Sequence, residues 1–218
     1  MDKPIWLRNI RVLVWDFDGV FYRENERMRK AIHREVVKAI ASVKNIAYKE
    51  AESWQKKYYR KWGSNTRVMR EAGISKKLAF SGKWYAPSQL RYMKRDEKLK
   101  PLMLGLSFMK NIILTNTNQK YITPKIKKIG LSANYFNKIF AAPDDFDTVK
   151  PDIMVFKKVL EYTALSAEKH LMIGDRVETD LLPAKKLGMK TCLVWSESNS
   201  ADISLKSIYM LSELFTQK

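Results

Sequence analysis

The sequence predicts an α/β fold, a doubly wound and mostly parallel sheet with an all-helical segment inserted after its first strand. Three observations support this prediction. A short apolar run near the N-terminus has the length and composition of a buried strand. Residues 22–97 show helical periodicity and no convincing strand pattern. After residue 98, short apolar runs alternate with amphipathic segments, as parallel strands joined by helical crossovers do.

The first strand is predicted within residues 11–22, whose sequence is RVLVWDFDGVFY. Val12 to Trp15 is too short for an amphipathic helix and is typical of a strand buried on both faces. Asp16 and Asp18 follow, and side chains two residues apart would converge if the strand geometry persisted. Gly19 then allows a turn. Taken alone, the two carboxylates are explained equally well by a solvated turn.

Residues 22–97 are predicted to form a helical insertion, because apolar residues recur there at helical spacing opposite a charged face. The helical patterns cover residues 24–44, 47–70 and 75–80. We therefore predict two domains, a core of residues 1–21 and 98–218 and the insertion of residues 22–97. A chain of 218 residues can bury one substantial core and a smaller second unit.

Strands and helices are predicted to alternate through the rest of the chain. The predicted strands cover residues 111–115, 138–142, 170–173, 189–195 and 208–210. The predicted helices cover residues 101–109, a segment from the Thr123–Pro124 pair to Gly130, a segment opened by Pro151, and residues 179–187. This alternation implies a sheet with helices on both faces.

Polar residues fall at the ends of these strands or in the loops after them. They are Asp16 and Asp18, Thr115 and Asn116, Lys150, Asp175 after Gly174, and Asp180. Open α/β sheets bind their ligands outside the carboxyl ends of the strands. The set therefore predicts one site at one edge of the sheet, although each member alone is also explained as a cap, a turn residue or a surface charge.

The chain is strongly basic, with 41 Lys and Arg against 23 Asp and Glu and a net charge of +18. Residues 22–97 hold 20 of the basic and 8 of the acidic residues, so +12 of the excess lies there. Aromatic residues are interleaved with these cations, which suits a nucleotide or a single-stranded nucleic acid. The alternatives are a compositional bias for the charge and, for most of the aromatic residues, a small helical bundle with an aromatic core and a solvated basic surface.

Other features bear on location. The single Cys192 allows no internal disulfide and fits a reducing compartment. No apolar run is long enough to span a bilayer, and the N-terminal MDKPIWLRNIR lacks the apolar centre of a signal peptide. We therefore expect a cytoplasmic protein with no membrane partner.

Four motifs resemble, in order, those of the haloacid dehalogenase-like hydrolase superfamily. They are DFDG, ILTN, VKP and GDRVETD. The resemblance implies a Rossmann-like core, and the helical insertion resembles this superfamily's first (C1) cap type. YYRKWG, LTN and LGMKTCLVW further resemble its pyrimidine 5′-nucleotidase-like branch. That branch usually continues its first motif with Thr-Leu, whereas this chain has Gly19-Val20-Phe21.

The resemblance implies phosphatase chemistry. Asp16 would be the nucleophile that forms an aspartyl-phosphate, and Asp18 would protonate the leaving oxygen and then accept a proton from water. The superfamily's dehalogenases lack this second aspartate. Thr115 and Asn116 would hold phosphate oxygens, and Lys150 would supply a cation to both phosphate and carboxylates.

A carboxylate and a phosphate repel each other, so the resemblance also implies Mg²⁺ as cofactor. Asp16 and Asp175 would be side-chain ligands, Asp18 would contribute its backbone carbonyl, and Asp180 would lie nearby. In the insertion, YYRKWG would face the cleft. Its candidate specificity residues are Tyr58, Tyr59, Arg60 and Trp62.

The sequence thus predicts a Mg²⁺-dependent phosphomonoester hydrolase for a nucleoside monophosphate or a similar small metabolite. The alternatives are a phosphatase of nucleic-acid ends or of another anionic substrate, a phosphomutase, and a catalytically silent scaffold that binds nucleic acid or protein. Oligomeric state is not predicted.

Overall fold

The computed structural model describes residues 3–62 and 64–215, and of Trp62 only the backbone. Six strands form one sheet in the order β3-β2-β1-β4-β5-β6. The strands are β1 (Val12–Trp15), β2 (Lys110–Thr115), β3 (Lys138–Ala141), β4 (His170–Gly174), β5 (Lys190–Val194) and β6 (Ile203–Leu205). Each pairing between these strands is parallel. The predicted doubly wound, mostly parallel α/β fold is confirmed.

Two compact units are distinguishable, Met1–Arg23 with Lys94–Lys218 and Glu24–Met93. The second unit is helical throughout its described elements. They are α1 (Glu26–Lys44), α2 (Tyr48–Trp62), α3 (Asn65–Glu71), α4 (Lys76–Phe80) and α5 (Ala86–Tyr92). Asn25 caps α1 by accepting a hydrogen bond from the Met28 N–H at 2.9 Å. Buried Val36 and Ile40, four residues apart, mark the apolar face of that helix.

The first unit carries the sheet and its flanking helices. These helices are α6 (Leu99–Gly105), α7 (Gln119–Lys128), α8 (Ala142–Asp145), α9 (Ile153–Thr163), α10 (Leu182–Lys186) and α11 (Leu211–Phe215). The β1 face with Val12 and Val14 packs into one apolar cluster with Phe156 and Val159 of α9 and Ala184 of α10. Burial of each large apolar side chain contributes ~1.5–3 kcal/mol.

The opposite face of β1 is equally buried. Leu13 and Trp15 are fully inaccessible to solvent, so β1 is buried on both faces, as its composition predicts. The Trp15 indole donates to Asn111 Oδ1 at 3.0 Å and lies 5.2 Å from the Phe21 ring. The Asp16 N–H donates to the Ile173 carbonyl at 2.9 Å. The central strand therefore delivers Asp16 to the sheet edge in a fixed position.

Several predicted element boundaries differ from the structure, and two of the differences affect the site or the sheet. Helix α7 does not begin at Thr123–Pro124 but at Gln119, and Pro124 lies inside it. The earlier start is stabilised because the Asn118 carbonyl accepts from the Ile122 N–H at 3.1 Å and the Ile122 side chain is buried.

The last strand also differs from the prediction. Ile208–Met210 is a 3₁₀ turn capped by Ser207, and the sixth strand is Ile203–Leu205. Asp202, directly before it, accepts hydrogen bonds from the Thr191 backbone and hydroxyl at 2.9 and 2.7 Å. These bonds fix the chain alongside β5.

Among the described helices, none combines the length and the apolarity that a membrane crossing requires.

Candidate active site

Three carboxylates converge at the carboxyl ends of the central strands. Asp16 follows β1, Asp175 follows β4, and Asp180 lies in a π-helical turn, Val177–Leu181, that leads into α10. One carboxylate oxygen from each lies within 4.8 Å of the others. Asp16 and Asp180 are buried, and Asp175 is partly exposed. Three oxygen donors at this separation suit a hard divalent cation.

Two glycines make this convergence sterically feasible. Gly19 has φ +89°, and a Cβ placed on it would lie 2.1 Å from Asp175 Oδ2. A Cβ on Gly174 would lie 2.4 Å from the Asp180 Cβ. Since real Cβ contacts are not shorter than 3.0 Å, any side chain at either position would displace an aspartate. The glycine of the DFDG motif is therefore needed to make room for the aspartate of the GD motif.

Lys150 neutralises part of this acidic cluster. Its Nζ lies 2.8 Å from Asp16 Oδ1 and 2.7 Å from Asp180 Oδ1, and its side chain is buried. Burial lowers the pKa of Lys150, but the two carboxylates outweigh this effect and raise it above its usual value. Lys150 is therefore a fixed cation beside Asp16.

The Asn116 side chain holds the backbone of Lys150. Its Oδ1 accepts from the Lys150 N–H at 2.8 Å, and its Nδ2 donates to the Lys150 carbonyl at 3.0 Å. Thr115, at the end of β2, is fully buried, and its Oγ1 accepts from the Thr117 N–H at 3.1 Å. These contacts tie the loop after β2 to the Lys150 segment.

The acidic cluster carries excess negative charge. Burial raises the pKa of Asp16 well above its usual value, and Lys150 opposes this rise without cancelling it. Burial, followed by the charge of Asp180, raises the pKa of Asp175 to about 7. Asp175 Oδ1 is buried, and among the described residues it has no hydrogen-bond partner. An unpaired buried carboxylate oxygen is costly unless another ligand satisfies it.

Asp18 lies in a different environment. Its Oδ1 accepts from Lys125 Nζ at 2.7 Å and from the Tyr22 hydroxyl at 2.5 Å, and its Oδ2 accepts from the Thr117 hydroxyl at 2.5 Å. Burial raises the pKa of Asp18, but Lys125 and the hydrogen bonds prevail and hold it below its usual value. Two aspartates in one loop thus have oppositely shifted pKa values.

Three residues at this site do not follow from the motifs, namely Tyr22, Thr117 and Lys125. Sequence periodicity contains a signal for Lys125. It occupies a core-facing position of α7, between the buried Ile122 and Ile126, where an apolar residue is expected. The misplaced start of α7 hides this signal. Nothing in the sequence distinguishes Tyr22 or Thr117 from ordinary loop residues.

The candidate specificity residues lie in α2 of the second unit. Tyr59 and Arg60 are exposed, and Tyr58 is partly buried with its ring stacked on Trp54 at 4.1 Å between centroids. The side chain of Trp62 lies outside the described part of the structure, as does Gly63. Their role in substrate selection stays a prediction.

The sequence profile of a family described as haloacid dehalogenase-like hydrolase matches residues 13–194. The chain belongs to this family. The match includes Asp16, Thr115 and Asp175. The prediction of a hydrolase from this superfamily is confirmed. The narrower pyrimidine 5′-nucleotidase-like branch is not specifically supported.

Several known proteins are similar to this haloacid dehalogenase-like chain. A glyceraldehyde 3-phosphate phosphatase from Pyrococcus furiosus is 24% identical over 225 residues, 95% of this chain and 91% of the relative. A HAD phosphatase structure from Thermococcus onnurineus has a TM-score of 0.68 at 20% identity, covering 94% of this chain and 97% of that one. A magnesium-bound HAD-hydrolase structure from Bacillus subtilis has a TM-score of 0.64 at 17% identity, covering 95% and 99%. The two structures support the fold.

Proposed function

We propose that this chain is a Mg²⁺-dependent phosphomonoester hydrolase that works through an aspartyl-phosphate on Asp16. The observation that carries the proposal is that two aspartates of one loop lie in different surroundings. Asp16 faces the acidic cluster and Lys150, whereas Asp18 is held by donors from other elements. A nucleophile and a proton carrier need separate environments. Because Lys125 holds the pKa of Asp18 low in the free protein, Asp18 must take up the proton that it donates when the negatively charged phosphate binds beside it.

The proposed reaction has two balanced steps. An Asp16 carboxylate oxygen attacks phosphorus, the bond from phosphorus to the leaving oxygen breaks, and Asp18 gives its proton to that oxygen. Water then attacks the aspartyl-phosphate and loses a proton to Asp18, which frees inorganic phosphate and regenerates Asp16. Proton transfer by a positioned side chain is typically worth ~10²–10⁴ in rate.

The acidic cluster fits the divalent cation that this chemistry needs. The unpartnered Oδ1 of Asp175 and a carboxylate oxygen of Asp16 are available as ligands. Asp180 is committed to Lys150 at 2.7 Å and to the Arg176 N–H at 3.2 Å, so we assign it a supporting role. The Asp18 backbone carbonyl completes the proposed protein ligands. When bound, Mg²⁺ would neutralise charge between carboxylate and phosphate.

Thr115 and the backbone amide of the Asn116 region would then bind phosphate oxygens, with Lys150 as the fixed cation. The Asn116 side chain acts through Lys150, since it holds that residue's backbone. Fixed donors of this type stabilise charge on a transferring phosphoryl group without reorganisation.

We propose a small phosphorylated metabolite as substrate. The motif resemblance points to nucleoside monophosphates, and the similarity to a glyceraldehyde 3-phosphate phosphatase adds phosphorylated three-carbon sugars. We assign the second unit as the cap that selects among them, with Tyr58, Tyr59, Arg60 and Trp62 as the first residues to replace.

A phosphate-release screen with Mg²⁺ tests the proposal. It should contain nucleoside monophosphates, sugar phosphates and oligonucleotides phosphorylated at either end, with and without a second sugar phosphate as acceptor for mutase activity. We expect release from at least one small metabolite. If no member of the screen releases phosphate, the hydrolase proposal is contradicted and the hypothesis of a catalytically silent scaffold is favoured.

The Asp16→Asn variant tests the nucleophile. We expect it to abolish phosphate release while the variant still folds, as a cooperative thermal unfolding transition will show. Asp152→Asn is the matched control, since it makes the same chemical change at an exposed helix cap, where Asn serves as well as Asp. Undiminished turnover by Asp16→Asn would refute the mechanism.

A further inference from the structure

Among the described residues, the phosphoryl-transfer scheme leaves one buried cation without a role. Lys125 of α7 is completely inaccessible to solvent. Lysines are almost never fully buried unless they are paired. Lys150 already serves the acidic cluster, so a second buried ammonium requires its own explanation.

The contacts of Lys125 define that explanation. Its Nζ donates to Asp18 Oδ1 at 2.7 Å and to Thr117 Oγ1 at 3.0 Å. The Thr117 hydroxyl donates in turn to Asp18 Oδ2 at 2.5 Å. Lys125 therefore reaches one carboxylate oxygen directly and the other through one hydroxyl. With both oxygens fixed, the plane of the Asp18 carboxylate cannot rotate freely.

We propose that Lys125, with Thr117 as its bridge, is a positioning residue that orients Asp18 toward the leaving oxygen and so determines which leaving groups the enzyme can handle. The inference rests on the proposed function of the same site. A general acid must lie within hydrogen-bond reach of the oxygen that it protonates, ~2.6–3.2 Å. Loss of the ammonium would leave only the neutral hydroxyls of Tyr22 and Thr117 on Asp18. We expect the carboxylate then to shift out of that range while Asp16, Asp175 and Lys150 stay in place.

The consequence depends on the chemistry of the leaving group. An alkyl phosphomonoester expels a strongly basic alkoxide, which must receive a proton as the bond to phosphorus breaks. A nitrophenyl phosphomonoester expels a stabilised phenolate, which leaves without one. In the step that breaks the ester bond, the Lys125 anchor should therefore matter for alkyl substrates and hardly at all for aryl substrates.

The Lys125→Met variant tests this difference because it keeps the side-chain length and removes the ammonium. The quantity compared is kcat/KM, which covers the steps up to departure of the leaving group and excludes the later hydrolysis of the aspartyl-phosphate, a step that both substrates share. For the alkyl phosphate that the wild type hydrolyses best, we expect kcat/KM to fall by ~10², as a displacement of about 1 Å can cause. For p-nitrophenyl phosphate we expect kcat/KM to change little. Equal losses of kcat/KM on both substrates would overturn the proposal.

Lys127→Met is the matched control, because Lys127 is an exposed lysine of the same helix. It should behave as the wild type on both substrates. Since Lys125→Met leaves Asp18 without its buried counter-charge, its folding is checked by circular dichroism.

Thr117→Val is the second variant, removing only the bridging hydroxyl. We expect kcat/KM to fall on the alkyl substrate and not on p-nitrophenyl phosphate, by less than in Lys125→Met. An equal fall on both substrates would contradict the role of Thr117 as the bridge.

A crystal structure of Lys125→Met separates this inference from the proposed function. A rotated Asp18 carboxylate with Asp16 in place supports the positioning role, and an unmoved Asp18 overturns it. Both results are available even if the wild type releases no phosphate from any substrate. If the wild type releases no phosphate, that result refutes only the proposed function.

Discussion

Gly19→Ala should inactivate the site by displacing Asp175, although residue 19 has no side chain and takes no part in the chemistry. The added Cβ would lie 2.1 Å from Asp175 Oδ2, and it needs at least 3.0 Å. One of the two groups must therefore move by about 0.9 Å. A displacement near 1 Å at a reacting centre can cost ~10² in rate. The variant also places a non-glycine residue at φ +89°, which costs ~1–2 kcal/mol.

Gly188→Ala separates the displacement from the backbone strain. Gly188 has φ +88°, and its added Cβ would meet only the Ala167 Cβ at 3.7 Å, an ordinary van der Waals distance. Both variants should lose ~1–2 kcal/mol of stability, a fall of roughly 2–8 °C in melting temperature for a chain of this size. Only Gly19→Ala should lose phosphate release.

The assays are phosphate release on the best substrate of the screen and the rise in melting temperature that Mg²⁺ causes. We expect Gly188→Ala to keep both properties and Gly19→Ala to lose about 10² in kcat together with most of the Mg²⁺ response. If Gly19→Ala retains wild-type turnover and Mg²⁺ stabilisation, the close approach to Asp175 has no functional importance, and the reasoning is wrong.

Three further predictions concern the charges of the site. Lys150→Met leaves Asp16 and Asp180 without their buried partner, so urea unfolding of the metal-free protein near pH 8 should show a loss of ~3–5 kcal/mol. Folding raises the pKa of Asp175 from 3.8 to about 7, so this group makes the metal-free fold less stable as pH rises from about 4 to about 7. Mg²⁺ requires the deprotonated carboxylate, so it should raise the melting temperature more at pH 8 than at pH 6, and an equal rise would contradict the assignment. Asp175→Asn should weaken this pH dependence, with the raised pKa of Asp16 accounting for what remains, as thermal melts with and without Mg²⁺ will show.

The acidic half of the site follows from the sequence because it depends on strand ends. Val12 to Trp15 predicts a doubly buried central strand, and such a strand must deliver the residues after it to the ligand-binding edge. Asp16 and Asp175 leave adjacent strands, β1 and β4, so their meeting is a consequence of topology. The same rule brings Thr115 of β2 to this edge. Strand pairing within a parallel sheet is enough to predict these neighbours.

The surroundings of Asp18 could not be predicted in the same way because they depend on helix boundaries. Lys125 enters the site only because α7 begins at Gln119, four residues before the predicted start. The turn that carries Asp180 is a comparable case. Residues 179–187 predict one helix, whereas the structure has the wider turn Val177–Leu181 before α10. That turn aims Asp180 at Lys150, 2.7 Å away, and a tertiary ion pair leaves no trace in local periodicity.

The charges of the described site explain why two aspartates of one loop have oppositely shifted pKa values. Four carboxylates, Asp16, Asp18, Asp175 and Asp180, face two buried ammonium groups, Lys125 and Lys150. Lys125 is committed to Asp18, so three carboxylates share Lys150, and full ionisation leaves two uncompensated negative charges. A buried site can remove such an excess in two ways, by taking up protons or by binding a divalent cation. The raised pKa values of Asp16 and Asp175 correspond to the first way, and the unpartnered Asp175 Oδ1 provides for the second. Asp18 does not take part in this exchange, because its counter-charge Lys125 is built into α7.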